Sequence, residues 1–411
     1  MSILFDFQKE DVNKVCDILA ANNRAAIFST VGTGKSLIAL EVSKRIAKLN
    51  TLIICPSFLR NNWALEIKKH YSQDAIVYPK QPNPKCNYYI INYENLAKIK
   101  DLSYFDCLII DETQYIKNHK TIRAKQAWKI INTIKYTILL TGTPISKGIV
   151  DFYMYAKILS KSYAKMDYWT FCNRYSNMVK KRLGSRVITD FQGIKQETLP
   201  EIRAIQSKYT IRRKSEDVIK LPSMQEIEMR VEVKPIKVDA ENTFMAFKDY
   251  MEHQRINEHL MAYKRENAIL KATATYEYVN SMSEPVLIFS DHPEAVKRIS
   301  EGLELASGII TGDTHPLKRQ DIVNDFEAGK INIIVASIGA LSEGVSLPRA
   351  TKVIYNDFNY SPIKMVQSKA RVRRINSQHA AQCAYIVSSD LDSRILSIIK
   401  SKQDDIAKVI Q

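Results

Sequence analysis

The chain alternates between two kinds of segment. Short apolar runs end in polar or glycine-bearing turns at Ala25–Phe28, Thr51–Cys55, Tyr88–Ile91, Cys107–Ile110 and Tyr136–Leu140. Between them lie patterns with helical spacing, such as Leu37–Leu49 and Asn62–Tyr71. An apolar run too short for a helix and bounded by turn residues reads as a strand buried on both faces. Such strands alternating with helices predict a parallel α/β sheet. The same grammar returns at Pro285–Phe289, Gly308–Ile310, Asn332–Ala336, Lys352–Tyr355 and Cys383–Val387, with helical patterns such as Pro293–Leu305 and Pro316–Glu327 between. The middle is largely helical and polar, with one β-like stretch, Gln225–Val233, and a helical pattern over Asn242–Asn280. The expected fold class is therefore α/β. Two parallel-sheet lobes, residues 1–150 and 284–411, flank a mainly helical insertion and linker, 151–283.

Composition narrows the class. With 45% hydrophobic and 25% charged residues, the 411-residue chain is ordinary for a globular protein, which excludes disorder and collagen-like structure. No run of about 18 apolar residues occurs, so no membrane span is expected. Met1–Glu10 lacks a basic region followed by an apolar stretch, so no signal peptide is expected. The six cysteines are scattered without a C-x-x-C and read as reduced thiols. The seven histidines form no ligand-spaced set, so no structural zinc is expected. Lys and Arg number 60 against 44 Asp and Glu, a formal charge of +16. That surplus favours a polyanionic partner, nucleic acid ahead of a membrane surface. The clusters Lys180–Arg182 and Arg212–Lys214 are the candidate contacts.

Only 12 glycines occur in the whole chain, so a local pair is informative. One pair sits in Ser29-Thr30-Val31-Gly32-Thr33-Gly34-Lys35-Ser36, after an apolar run and before a helical pattern. This is the strand–loop–helix context of a phosphate-binding loop. Glycines let backbone N–H groups turn towards phosphate oxygens, and the helix N-terminus adds positive potential. Gly32, Thr33 and Gly34 would cradle phosphate, Lys35 would reach the β- and γ-phosphates, and Ser36 would ligate magnesium. Ser29 stands where the full pattern has glycine.

A second element completes the chemistry. Cys107-Leu108-Ile109-Ile110-Asp111-Glu112 reads as a buried strand ending in two acids. Asp111 can hold magnesium, directly or through water, and Glu112 can orient and deprotonate an attacking water. ATP with magnesium is the implied cofactor.

The remaining blocks carry a resemblance. Phe7-Gln8 is similar to an adenine-reading glutamine motif. Thr51–Glu66, with Trp63, and Ile90–Leu96 resemble two further blocks of one family. To these add Asp111–Gln114 followed by Ile116-Lys117-Asn118, Thr141-Gly142-Thr143-Pro144, and Ile211–Lys214 with Asp217-Val218 and Leu221-Pro222. Together they resemble the Swi/Snf-type double-stranded DNA translocases of helicase superfamily two, from about Phe7 to Val387. In the second lobe Val286–Ser290, Ser337, Gly344, Leu347 and Gln367-x-x-x-Arg371-x-x-Arg374 continue the match. The chain departs from the family at Gln114, where a histidine is usual, and at Ser146-Lys147.

The resemblance implies two RecA-like lobes around a nucleotide cleft. Gln8 and Gly344 would contact the nucleotide, Arg374 would act as an arginine finger, and Arg371 would be a second phosphate-facing arginine. It implies a DNA-stimulated ATPase that moves on duplex or branched DNA, with replication, recombination or repair as settings. No accessory reader domain is read in the sequence, so a monomeric motor core without targeting modules is expected. The Lys-, Ile- and Asn-rich text suits a bacterial or viral source and a cytoplasmic location, nuclear if the source is eukaryotic. An ATP-driven remodeller of a DNA-bound protein partner such as RNA polymerase is the alternative. A non-motor protein with vestigial motifs is a third reading.

Overall fold

The apolar runs fold as strands and the amphipathic segments as helices in the computed structural model. It describes residues 4–30, 32–78, 86–145, 148–183, 186–218, 224–234, 236, 238–253, 257–341, 347–372 and 381–409. The chain divides after Val218 into two compact units. The segment 151–283 is thereby shared between them.

The first unit carries β1 (Arg24–Ile27), β2 (Asn50–Cys55), β3 (Ile76–Val77), β4 (Tyr88–Asn92), β5 (Phe105–Ile110), β6 (Tyr136–Leu140), β7 (Ser176–Leu183), β8 (Arg186–Ile194) and β9 (Thr210–Ile211). Among the described residues seven of these form one sheet, ordered β3-β4-β2-β5-β6-β1-β9, with every pairing parallel. Ile27, Ile53, Ile90, Ile109, Ile138 and Leu140 pack into one core on one face of this sheet. Their neighbours Ala26, Ile54, Ile91, Leu108, Ile110 and Leu139 are just as buried. Burial on both faces is why these strands read as continuous apolar runs. Helices Lys35–Ile46, Arg60–Tyr71 and Ile122–Thr133 lie among the connections that parallel strands require. The last of them is capped by Thr121, whose hydroxyl oxygen accepts from Ala124 N at 3.3 Å.

β7 and β8 form a separate antiparallel hairpin, a departure from the mainly helical reading of the middle. Here Met178 lies opposite Phe191, and Lys181 opposite Ile188. Three consecutive basic residues, Lys180–Arg182, make the stretch read as polar and break the period of two. The basic cluster at 180–182 is on this hairpin, and its side chains lie outside what the structure describes.

The second unit carries β10 (Met224–Arg230), β11 (Val286–Phe289), β12 (Ser307–Ile310), β13 (Ile333–Ala336), β14 (Lys352–Tyr355) and β15 (Ala381–Val387). Their order is β10-β15-β14-β11-β13-β12, again all parallel among the described residues. Alternate residues feed two cores. Leu287, Phe289, Val353 and Tyr355 face one, and Val286, Ile288, Ile354 and Ile386 the other. The β-like stretch expected at 225–233 is β10, which joins this sheet through β15. The long helical pattern over 242–280 is two helices, Ala240–His253 and Glu258–Asn280. Among the described residues no helix is long and apolar enough to cross a membrane.

Candidate nucleotide site

The strand order β5-β6-β1-β9 brings segments far apart in sequence to one edge of the first sheet. Ser29–Ser36 follows β1, Asp111-Glu112 follows β5, Thr141–Pro144 follows β6 and Arg212–Lys214 follows β9. All leave the C-terminal ends of parallel strands, where such sheets open their ligand crevices. Backbone bonds lace these ends together. Thr141 N donates to Ile27 O at 3.2 Å, Phe28 N to Ile211 O at 3.0 Å, and Thr30 N to Arg213 O at 2.9 Å.

The loop that follows β1 turns on two glycines. Gly32 (φ 92°) and Gly34 (φ 79°) both hold left-handed backbone, which glycine adopts without penalty. At Gly34 a Cβ would also lie 2.3 Å from Gln8 Nε2. Helix Lys35–Ile46 starts directly after it, so its N-terminal N–H groups and positive dipole end face the loop. Ser36 lies in the first turn, Lys35 Nζ donates to Thr30 O at 3.1 Å, and Thr33 Oγ1 donates to the same carbonyl at 2.9 Å. Val31 lies outside the described residues. Gln8, expected to face adenine, is buried against the loop. Its Nε2 donates to Thr33 O at 3.1 Å and its Oε1 accepts from Phe5 N at 3.0 Å.

Ser29, the departure from the full glycine pattern, has a partner that the sequence reading missed. Its Oγ accepts from Arg213 N at 3.0 Å. The Arg213 guanidinium in turn donates to Asp11 Oδ1 and Glu10 Oε2, each at 2.9 Å. One member of the expected DNA-facing cluster at 212–214 therefore clamps the loop to the first helix. Burial holds the Asp11 carboxyl above its usual range, and Arg213 pulls it back. Because the folded pKa exceeds the unfolded one, Asp11 favours folding at low pH, and that contribution is lost as pH rises through the folded value. Arg213→Ala is thus expected to destabilise the first unit by about 1–3 kcal/mol at neutral pH. The loss should shrink in acid, when Asp11 is protonated, and thermal melts at pH 7 and pH 4 check both statements.

The acid pair is held by three neighbouring side chains, those of Trp63, Tyr93 and Gln114. Trp63 Nε1 donates to Asp111 Oδ2 at 2.9 Å, and Glu112 N donates to Asp111 Oδ1 at 2.9 Å. Tyr93 Oη donates to the Asp111 carbonyl at 2.5 Å and to that of Glu112 at 3.3 Å. Burial and the Glu112 charge push the Asp111 carboxyl up to about 7, against the Trp63 bond and the Lys35 charge. That interaction ties the acid electrostatically to the phosphate-loop lysine. Glu112 sits at φ 50°, a left-handed conformation unusual for a non-glycine residue, which costs about 1–3 kcal/mol. Gln114 Nε2 donates to Glu112 Oε2 at 2.6 Å, and Gln114 Oε1 accepts from Thr141 Oγ1 at 2.8 Å. Thr141 Oγ1 also accepts from Thr143 N at 3.0 Å. The residue that departs from the family pattern thus joins the acid motif to the Thr-Gly-Thr-Pro motif.

Among the described residues no group of three or more His, Cys, Asp or Glu is placed to hold a metal. A nucleotide-borne magnesium ion needs less, one or two protein oxygens beside phosphates and waters. Asp111 fits that need. Its two hydrogen bonds use one lone pair on each oxygen and leave the others open.

In the second unit Arg371 is buried, 4% exposed, just beyond helix Pro362–Lys369. Its backbone N donates to Ser368 O at 3.1 Å and its carbonyl accepts from Leu347 N at 3.0 Å. Gly344 and Arg374 lie outside the described residues. A buried polar cluster there was not anticipated. Lys271 Nζ donates to Asp392 Oδ2 at 2.8 Å and to Ile386 O at 2.9 Å. Asn267 Nδ2 donates to Asp392 Oδ1 at 2.9 Å.

Residues 29–277 match the SNF2-related domain, and residues 248–376 match the helicase conserved C-terminal domain. A relative in Drosophila melanogaster is the SWI/SNF-related matrix-associated actin-dependent regulator of chromatin subfamily A-like protein 1. It is 24% identical over 99% of this chain and 56% of its own length. Human DNA annealing helicase and endonuclease ZRANB3 is 23% identical over 97% of this chain and 40% of its own length. The chain spans about half the length of the curated relatives it matches. The Sulfolobus solfataricus SWI2/SNF2 ATPase core in complex with dsDNA aligns with a TM-score of 0.46 and 19% identity, over 100% of this chain and 93% of that one.

Proposed function

The chain belongs to the SNF2-related family, and from that premise we propose that it is an ATP-dependent motor acting on duplex or branched DNA. The observation that carries the reading is the convergence at one sheet edge. There the phosphate loop, the Asp111-Glu112 pair and the Thr141–Pro144 segment meet, and Gln114 bridges the last two.

In this reading the backbone N–H groups of Gly32–Gly34 and the following helix N-terminus receive the phosphates of ATP. Lys35 leaves Thr30 O to meet the β- and γ-phosphates. Ser36 and Asp111 hold the magnesium ion, which supplies charge neutralisation on the phosphates when bound. Glu112 orients a water and takes its proton. Gln8 reads the adenine edge, and Gly344, Arg371 and Arg374 are candidate nucleotide-contacting residues by the family resemblance. Gln114 then passes a change at Glu112 to Thr141 within the first unit.

Two supports point to DNA. The surplus of sixteen positive charges suits a phosphate backbone. Relatives are named for DNA annealing and for chromatin regulation. Contacts made by charge read backbone rather than base edges, so binding is salt-sensitive and weakly sequence-specific. Annealing or branch migration of forked DNA suits that mode.

Steady-state ATP hydrolysis tests the reading, at moderate salt, alone and with duplex, forked and single-stranded DNA and RNA, beside Lys35→Ala. Stimulation by duplex or forked DNA, abolished in the variant, is expected. Turnover indifferent to every nucleic acid would overturn the DNA motor and direct the search to a protein activator.

A further inference from the structure

We propose that Trp63 is a positioning residue for the magnesium-holding carboxylate, its indole N–H setting the orientation of Asp111. The proposal rests on the reading of Asp111 as a ligand of nucleotide-borne magnesium.

The geometry is specific. Trp63 lies on helix Arg60–Tyr71, which follows β2, and Asp111 follows β5, the strand beside β2. Asp111 N donates to Ile54 O at 2.8 Å, so the two strand ends are locked in register. The indole is 3% exposed and its Nε1 reaches Asp111 Oδ2 at 2.9 Å, across 48 residues of sequence. The other carboxylate oxygen accepts from Glu112 N. The terminal torsion of an aspartate is broad and roughly two-fold, so a carboxylate held through one oxygen swings easily. Donors from two different elements, one on each oxygen, remove that freedom.

The chemistry of the donor matters as much as its place. Indole is a donor only, and it is neutral. It fixes the carboxylate plane without cancelling the negative charge that a divalent cation requires. A Lys or Arg at this position would orient Asp111 and compete with the cation. A Phe would keep an aromatic ring there, in a smaller volume, and leave Oδ2 without its donor. A buried indole N–H needs an acceptor, and here that acceptor is the acid itself. Tyr93 has a different task, since it holds the carbonyls of Asp111 and Glu112 and not the carboxylate.

Partners that orient metal ligands typically change metal affinity by about 10–100-fold when removed. Trp63→Phe is therefore expected to raise the magnesium concentration for half-maximal binding of a fluorescent ATP analogue by about 10-fold or more. Binding of the analogue without magnesium should stay near the parent value. A role confined to packing would lower the melting temperature and leave the magnesium midpoint in place.

A second measurement reads the indole N–H of the parent protein directly, with Trp63→Phe serving only to assign its signal. In 15N-indole spectra of the whole chain, three tryptophans are present and Trp63→Phe identifies the signal. That N–H should resist hydrogen exchange, and it should shift on Asp111→Asn and on adding magnesium with a non-hydrolysed ATP analogue. A Trp63→Phe protein with the parent's magnesium midpoint overturns the proposal, as does an indole signal indifferent to Asp111→Asn. Parent and Asp111→Asn proteins with the same magnesium dependence would instead remove the reading of Asp111 on which the proposal stands.

Discussion

Glu112→Gln is expected to lower ATP turnover by about 10³-fold while leaving ATP binding nearly unchanged. The substitution keeps size, shape and one oxygen acceptor, so the bond from Gln114 Nε2 to position 112 can persist. What disappears is the capacity to take a proton from water. Glu112 holds a left-handed backbone, and its side chain meets Gln114, which in turn meets Thr141. Such an outlier at a candidate catalytic residue marks a position held by its surroundings. Turnover measured with the most stimulating DNA, beside equilibrium titration with a fluorescent ATP analogue, separates chemistry from binding. Turnover equal to the parent would remove Glu112 from the catalytic role.

The second large effect falls far from the nucleotide site. Lys271→Met should destabilise the second unit by about 3–5 kcal/mol, because it leaves Asp392 buried without its cation. Lys271 is fully buried, and Asp392 is 3% exposed. The methionine fills the space of the lysine stem, so the loss is electrostatic rather than a cavity. Asn267 Nδ2 and Ser388 N continue to donate to Asp392, at 2.9 and 3.2 Å, but neither carries charge. The Ile386 carbonyl also loses the bond from Lys271 Nζ. The double variant Lys271→Met with Asp392→Leu should recover most of the loss, since replacing a whole buried pair by apolar groups is often neutral. Denaturant unfolding followed by far-UV circular dichroism measures the change. All three tryptophans, Trp63, Trp128 and Trp169, lie in the first unit, so their fluorescence follows that unit alone. A loss below about 1 kcal/mol in the single variant would show that the pair is not a stability determinant.

The elements that could be read early share one property, in that their pattern is contiguous. Gly32, Gly34, Lys35 and Ser36 need only one strand, one turn and one helix, and the backbone requirements of that turn are local. The central strands of both sheets are buried on both faces, so each announces itself as a short apolar run. β7 and β8 were missed because three consecutive basic residues, Lys180–Arg182, break the alternation that marks a strand. β9 was missed because two residues cannot show a period at all.

The partnerships within the site needed the folded chain. Ser29 meets the backbone of Arg213 across 184 residues, Trp63 meets Asp111 across 48, and Lys271 meets Asp392 across 121. A serine in place of glycine looks like a weakened loop, an Arg-Arg-Lys run looks like a surface, and a lysine in a long helix looks solvent-facing. Each reading is the best that a local pattern allows. Periodicity and turn chemistry set which segments become strands, helices and loops, because backbone geometry acts over a few residues. The order β5-β6-β1-β9 sets which strand ends become neighbours. That order emerges from packing the whole sheet, so it alone turned Arg213 into a clamp, Gln114 into a bridge and Trp63 into the partner of Asp111.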